Sequence, residues 1–242
     1  MGRFDVRYKP WGESTILIEW PAGISEVVLE DILALQEALE VAREIHPLET
    51  WNTYHALAAI YDPSRFSFSD ISSKIKAIYK GQVLKDSRSK TLWKIPVCYD
   101  EEFGIDLKEM ALQKEMDIHE IIQKHCWPIY TIYFIGFLPG FLYLGGLADE
   151  LNFPRKPSPR LSVRRGAVAI GGRQTGVYPV ESPGGWNIIG NSPLIFFDSA
   201  STLPCFARPG DKIKFYPIEK AEYARIAEQV KSGEYILLTE RL

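Results

Sequence analysis

Cysteine is scarce in this 242-residue chain: Cys98, Cys126 and Cys205 stand far apart, and none belongs to a C-x-x-C pair. An odd, scattered set argues against a disulfide framework or a zinc knuckle and points to a reducing compartment, the cytoplasm. The Gly-x-x-x-x-Gly-Lys-Ser/Thr phosphate loop does not occur, no G-x-G-x-x-G follows a strand pattern, and there is no G-x-S-x-G elbow. Histidines number four. His119-Glu120 opens like a zinc-protease helix, but position 123 is Gln and the next histidine is His125. Six residues turn a helix by about 600°, so the two rings leave on different faces and no metal site is expected. No charge of one sign dominates: 28 basic against 31 acidic residues leave a net −3, with no global drive toward nucleic acid or an anionic membrane. The first residues carry an early acid and no apolar run, so no signal peptide is expected.

Long hydrophobic runs are also missing, with one segment to decide. Residues 126–148 hold no charge, but Pro139-Gly140 and Gly145-Gly146 interrupt them, and Tyr130, Ile132, Tyr133, Phe134 and Ile135 favour extended backbone. We read a buried strand entering a glycine-rich loop rather than a membrane helix.

What is present is an ordinary globular balance, 46% hydrophobic and 24% charged, which argues against disorder. Strands are expected over 4–8 and 15–20, separated by a turn at Pro10-Trp11-Gly12. Ser25 then caps a long helix whose Val28, Ile32, Leu35 and Leu39 share a face. A strand over 56–61 and a helix capped by Ser69, with Ile71, Ile75 and Ile78 inward, complete a first α+β domain over 1–85. From residue 86 a strand over 92–99, two short helices opened by Asp106 and Asp117, and a strand over 129–136 are expected. Beyond Phe137 prolines and glycines become dense. Short apolar runs at 163–170, 176–180, 187–189, 194–198 and 212–216 read as strands of an all-β barrel or sandwich. A last helix turns Tyr223, Ile226 and Val230 inward, and a strand over 235–238 follows.

The chemistry concentrates between Ile135 and Pro193. Gly136-Phe137-Leu138-Pro139-Gly140-Phe141 comes first, then Pro154-Arg155-Lys156-Pro157-Ser158-Pro159-Arg160 with Arg164-Arg165. Gly171-Gly172-Arg173-Gln174-Thr175-Gly176-Val177-Tyr178 and Ser182-Pro183-Gly184-Gly185-Trp186 follow. Glycine admits positive φ and lets N–H groups converge on an anion. Residues 151–180 contain six basic side chains and no acidic one, and arginine grips carboxylate or phosphate through a two-pronged fork. Phe137, Phe141, Tyr143, Tyr178 and Trp186 could supply flat walls. Each motif alone also fits a hairpin turn, a solvated charged face or an aromatic core. Together they describe a site for a small, planar anion.

These same motifs, in this order, strongly resemble the B-subunit family of bacterial 5-oxoprolinase, also labelled allophanate hydrolase subunit 1 or the KipI family. Further matches are Gly12-Glu13-Ser14, Tyr61-Asp62-Pro63, Ile95-Pro96-Val97-Cys98-Tyr99, His125 and Pro209-Gly210-Asp211. The resemblance implies a cyclophilin-like β-barrel over 86–242. It also implies a cytoplasmic hydrolase component, inactive alone, that works with a homologous C-subunit and an unrelated A-subunit. The complex would open 5-oxo-L-proline to L-glutamate with ATP as co-substrate. The candidate substrate or anion contacts are Arg155, Arg160, Arg173, Gln174, Thr175, Tyr178, Gly184, Gly185 and Trp186. The candidate pocket wall is Phe137, Pro139, Gly140 and Phe141. No catalytic base is assigned, and no nucleic acid or membrane partner is expected. Two alternatives stay open: a module inhibiting a sensor histidine kinase, and part of a urea-type carboxyltransferase or allophanate system. The chain departs from the family pattern at Arg164-Arg165 and at Asn191-Ser192.

Overall fold

A computed structural model describes residues 3–45, 49–81 and 89–242. The chain divides into two compact units, Met1–Arg88 and Ser89–Leu242. The expected boundary at 85/86 falls outside the described residues.

The first unit is a four-stranded antiparallel sheet, with two helices contributing to its core. Its elements are β1 (Arg7–Trp11), β2 (Thr15–Glu19), α1 (Glu26–Val41), β3 (Glu49–Asn52), β4 (Ala56–Ile60) and α2 (Phe68–Gly81). The sheet order is β1-β2-β4-β3. Alternation in β2 buries Ile16 and Ile18, and these meet Val28, Ile32, Leu35 and Leu39 of α1 and Ile71 and Ile75 of α2. β1 runs three residues past its expected end because Pro10 sits on an edge strand, where its missing N–H costs no ladder bond. The turn is made by Gly12 at φ +68°. The α2 cap is Ser67, not Ser69. Its Oγ accepts the Asp70 N–H at 3.2 Å while the Asp70 carboxylate accepts the Ser67 N–H at 3.2 Å, a reciprocal capping box. Deep in this unit, Asp31 accepts from Trp20 Nε1 at 2.6 Å and Tyr79 Oη at 2.5 Å.

The second unit contains β5 (Thr91–Val97), α3 (Leu107–Lys114), α4 (Ile118–Cys126), β6 (Tyr130–Ile135), β7 (Leu142–Gly145), β8 (Arg160–Val163) and β9 (Ala167–Gly171). It continues with β10 (Gln174–Val177), β11 (Ser182–Gly184), β12 (Asn187–Asn191), β13 (Lys212–Pro217), α5 (Lys220–Ser232) and β14 (Thr239–Arg241). Eight strands form one sheet in the order β12-β9-β10-β7-β6-β13-β5-β14, and β8 pairs with β11 as a separate ribbon. The sheet is antiparallel except where β13 runs parallel to β5. The expected barrel is not closed among the described residues. Among the described residues, the one strand-type bridge between the β12 edge and the chain after β5 is Cys98–Asn191, where each N–H donates to the other's carbonyl at 2.9 Å.

Four expectations change here. The run 163–170 is two strands, because Gly166 at φ +79° turns the chain and packs on Ser192. The run 194–198 forms no strand, and the last strand lies at β14 rather than 235–238. The strand β11 is Ser-Pro-Gly, and β7 starts just after the Pro139-Gly140 turn and ends in glycine, so composition hid them. Residues 126–148 are the end of α4 and the β6–β7 hairpin, and no described helix is long and apolar enough to cross a membrane.

Candidate functional site

The glycines of the β9–β10 hairpin and of β11 make room for rings. A Cβ on Gly171 would lie 2.6 Å from the Trp186 indole, and one on Gly184 would lie 2.3 Å from Tyr178 Oη. Neither ring could rest there against any other residue without displacement. Trp186 and Tyr178 therefore settle onto backbone, and with Phe141 they form a buried aromatic cluster. Phe141 meets Trp186 edge-on at 5.6 Å and Tyr178 at 5.2 Å, and Tyr143 meets Trp186 at 6.0 Å, all within the favourable T-shaped range.

Above these rings is a cavity of about 210 Å³ lined by Phe137, Phe141, Tyr143, Arg155, Lys156, Pro159, Tyr178, Gly184, Gly185 and Trp186. The Arg155 guanidinium lies 5.5 Å from the Trp186 ring centroid, a cation–π geometry, and its Nη2 donates to Gln174 Oε1 at 3.4 Å. Burial raises the Tyr178 phenol and the Tyr143 phenol above their ordinary values, so both remain protonated donors at neutral pH.

Asp106 builds the cavity from behind. It was expected as a helix cap, but it makes no side-chain cap bond. Its Oδ2 accepts the Ile188 N–H at 2.7 Å, and its Oδ1 takes Arg160 Nη2 at 2.5 Å and Lys156 Nζ at 3.0 Å. Lys156 also reaches Glu109 at 2.9 Å. One nearly buried carboxylate thus ties the 154–160 loop to α3 and β12.

The cationic island of the sequence is dispersed by the fold. Arg155, Tyr178, Gly184, Gly185, Trp186, Phe137 and Phe141 come together on the cavity, joined by Tyr143, Lys156 and Pro159. Gln174 stands one step back, holding Arg155. Arg160 points to Asp106, and its Nη1 is buried without a partner. Arg173 pairs with Asp149 in the open, both side chains more than two-thirds exposed. Arg164 and Arg165 are exposed beside the Gly166 turn. Pro139 and Gly140 belong to the β6–β7 loop without lining the cavity. Thr175 is fully buried. Neither the Asp106 anchor nor Lys156's double ion pair was legible, because the partners lie about fifty residues apart.

Thr175 is one end of a buried chain that sequence reasoning did not find. Its Oγ1 donates to the Ala169 carbonyl at 3.0 Å, which uses its only proton. It therefore accepts from His125 Nε2 at 2.9 Å. Nδ1 is then the acceptor, and Tyr99 Oη donates to it at 2.8 Å. The Tyr99 oxygen is left to accept from Cys126 Sγ at 3.3 Å. The ring must be neutral for this arrangement, and burial pushes its pKa from 6.5 down to about 3. Above pH 6.5 neither folded nor unfolded His125 holds the extra proton. Below it the unfolded chain binds a proton that the folded chain refuses, so stability falls as pH falls. We expect a loss of about 2 kcal/mol between pH 7 and 5 in urea unfolding of the second unit. His125→Gln should flatten that slope, and an equal slope in the variant would refute the assignment.

A second, wider groove of about 1050 Å³ lies beside α4 and the start of α5, with Tyr99, Lys124, Cys126, Trp127, Lys214 and Lys220 among its walls. Among the described residues no group of three or more His, Cys, Asp or Glu side chains could hold a metal ion.

The chain is similar to known proteins in sequence and in fold. Residues 6–207 match the family described as carboxyltransferase domain, subdomain C and D. The chain is 34% identical to the 5-oxoprolinase B-subunit of Bacillus subtilis (strain 168), over 93% of this chain and 98% of that protein. It is 45% identical to the 5-oxoprolinase B-subunit of Escherichia coli O157:H7 over 51% of this chain and 56% of that one. Among solved structures, TTHA0988 superposes with a TM-score of 0.75 at 35% identity, over 85% of this chain and only 40% of that one. Kluyveromyces lactis urea amidolyase superposes with a TM-score of 0.83 over 98% of this chain and 16% of that one. At 17% identity it speaks for the fold alone.

Proposed function

Because the chain belongs to the B-subunit family of 5-oxoprolinase, we propose that it is one cytoplasmic component of an ATP-dependent 5-oxoprolinase, acting with an A-subunit and a homologous C-subunit. The single observation that carries the reading is the composition of the small cavity: aromatic walls, the Arg155 guanidinium, a lysine whose ammonium is paired with Asp106 and Glu109, and neither a carboxylate nor an imidazole in the lining. Such a site binds and polarises. It supplies no base.

A flat five-membered lactam suits the rings, and its carboxylate suits the Arg155 fork. A lactam carbonyl is a poor electrophile, so activation places charge on its oxygen, which cations and N–H donors stabilise. Water then adds to the carbonyl carbon and the C–N bond opens, with the base drawn from elsewhere in the complex. At about 210 Å³ the cavity is below the roughly 300–1,000 Å³ typical of drug-sized ligands, so it suits the small lactam better than ATP. We read the curled eight-stranded sheet, with its Cys98–Asn191 bridge, as an incompletely closed cyclophilin-like barrel.

The isolated chain is expected to release no glutamate from 5-oxo-L-proline and ATP, and addition of the A- and C-subunits should restore release. Robust turnover by the chain alone would overturn the shared-site reading. A second reading, a urea-type carboxyltransferase component, is favoured by the description of the matching family. It predicts that the assembled complex consumes carboxylated biotin with urea and ignores 5-oxoproline.

A further inference from the structure

The β6–β7 hairpin holds a residue in a conformation that its chemistry disfavours. Phe137 has φ +64°, and the Leu138 N–H donates across it to the Gly136 carbonyl at 2.8 Å. A bond from i+2 back to i around a positive φ is a γ-turn of the rare, strained hand. Glycine would occupy it without strain, and glycines stand at 136 and 140, yet 137 is phenylalanine.

The ring does not offset that strain by burial. Phe137 is 68% exposed, whereas Phe141, whose ring it meets edge-on at 5.9 Å, is 1% exposed. The turn persists because both flanks hold it. Phe141 N–H donates to the Leu138 carbonyl at 3.0 Å, and Gly136 N–H to the Phe141 carbonyl at 3.2 Å. Gly140, at φ +82°, seats the loop against Phe196 and Phe197, where a Cβ would lie 2.5 Å from the Phe197 Cβ. An exposed aromatic kept in a strained turn by a rigid surround has the signature of a functional constraint.

Position says which one. Phe141, Tyr178 and Trp186 are buried and form the cavity floor, and Arg155 and Phe137 are exposed at its rim. We propose that Phe137 is a positioning residue, a fixed lid whose ring covers the planar ligand lying on Trp186 and Phe141, and that the strain in its turn is retained for ligand binding at the expense of stability. This rests on the cavity being the substrate site but not on the substrate being 5-oxoproline.

The test uses the full chain, alone and with the A- and C-subunits, and compares wild type with Phe137→Gly, Phe137→Ala and Phe137→Tyr. Thermal unfolding without ligand reads the strain. Phe137→Gly should melt about 2–6 °C higher, while Phe137→Ala, which keeps a Cβ at positive φ, should not. Binding of 5-oxo-L-proline and of pyrrole-2-carboxylate, followed by tryptophan fluorescence and calorimetry, reads the lid. Both Gly and Ala variants should weaken at least tenfold, and Tyr should bind like wild type. If only pyrrole-2-carboxylate binds and depends on Phe137, the lid stands and the substrate assignment fails. The proposal is overturned by an unchanged or lower melting point in Phe137→Gly, by unaltered binding in Phe137→Ala, or by no binding of either probe. It is also overturned if Phe137→Ala spares binding but loses the partner proteins, which would make the ring a docking anchor.

Discussion

Arg155→Ala should lower turnover of the reconstituted complex by about a hundredfold, with the variant chain still folded by circular dichroism. Arg155 is the arginine on the cavity, its guanidinium held over Trp186 and steadied by Gln174. Losing a charge-assisted, two-pronged contact costs about 2–4 kcal/mol, and each 1.4 kcal/mol or so is a factor of ten in rate. Gln174→Ala should show a small part of the same loss, since it only steadies the fork. The other arginines serve as controls. Arg173 pairs with Asp149 on the surface, where an ion pair contributes under about 1 kcal/mol, and Arg164 is exposed in a turn. Both Ala variants should turn over nearly like wild type. Equal and mild effects at Arg155, Arg164 and Arg173 would mean that each is merely a solvated charge, and that the substrate anion is held elsewhere.

Asp106→Ala should be the most destabilising single change in the second unit, by about 3–5 kcal/mol. The substitution strands two donors at once, Ile188 N–H and Arg160 Nη2, and leaves Lys156 Nζ with Glu109 alone. Arg160 already has one buried nitrogen without a partner, so it has no second anchor. For a unit of this size the loss lowers the melting temperature by about 10 °C. Asp106→Asn, which keeps one acceptor oxygen, should lose roughly half as much. Arg160→Ala should likewise act on the melting point more than on substrate affinity, the reverse of Arg155→Ala. A melting point within a degree or two of wild type for Asp106→Ala would refute this account of the anchor. A substrate-affinity loss in Arg160→Ala as large as in Arg155→Ala would return Arg160 to the binding site.

Local rules were enough for much of the chain. Helical spacing of Val28, Ile32, Leu35 and Leu39 placed α1, and period-two alternation placed β2, because both signals come from side chains facing one core. The motif segment also gathers around one cavity: Gly184, Gly185, aromatics and Arg155 between 135 and 193 line its wall. Local rules failed where a distant contact overrode them. Pro10 read as a turn until the sheet order made β1 an edge, and 163–170 read as one strand until Gly166 met Ser192. The glycine pairs read as anion cradles, yet Gly171 and Gly184 serve chiefly to let Trp186 and Tyr178 lie on bare backbone.

The sequence by itself determined the two-part α+β character, the family, and the segment that lines the small cavity, since these depend on periodicity, composition and ordered motifs along the chain. Only the tertiary structure decided which cation faces the cavity and which is consumed by structure. Arg155 and Arg160 sit five residues apart in one basic run, but one lies over Trp186 and the other is bound to Asp106. Charge is a property of residue type, whereas availability of that charge depends on which carboxylate the fold brings within about 3 Å, and no local pattern encodes a partner some fifty residues away.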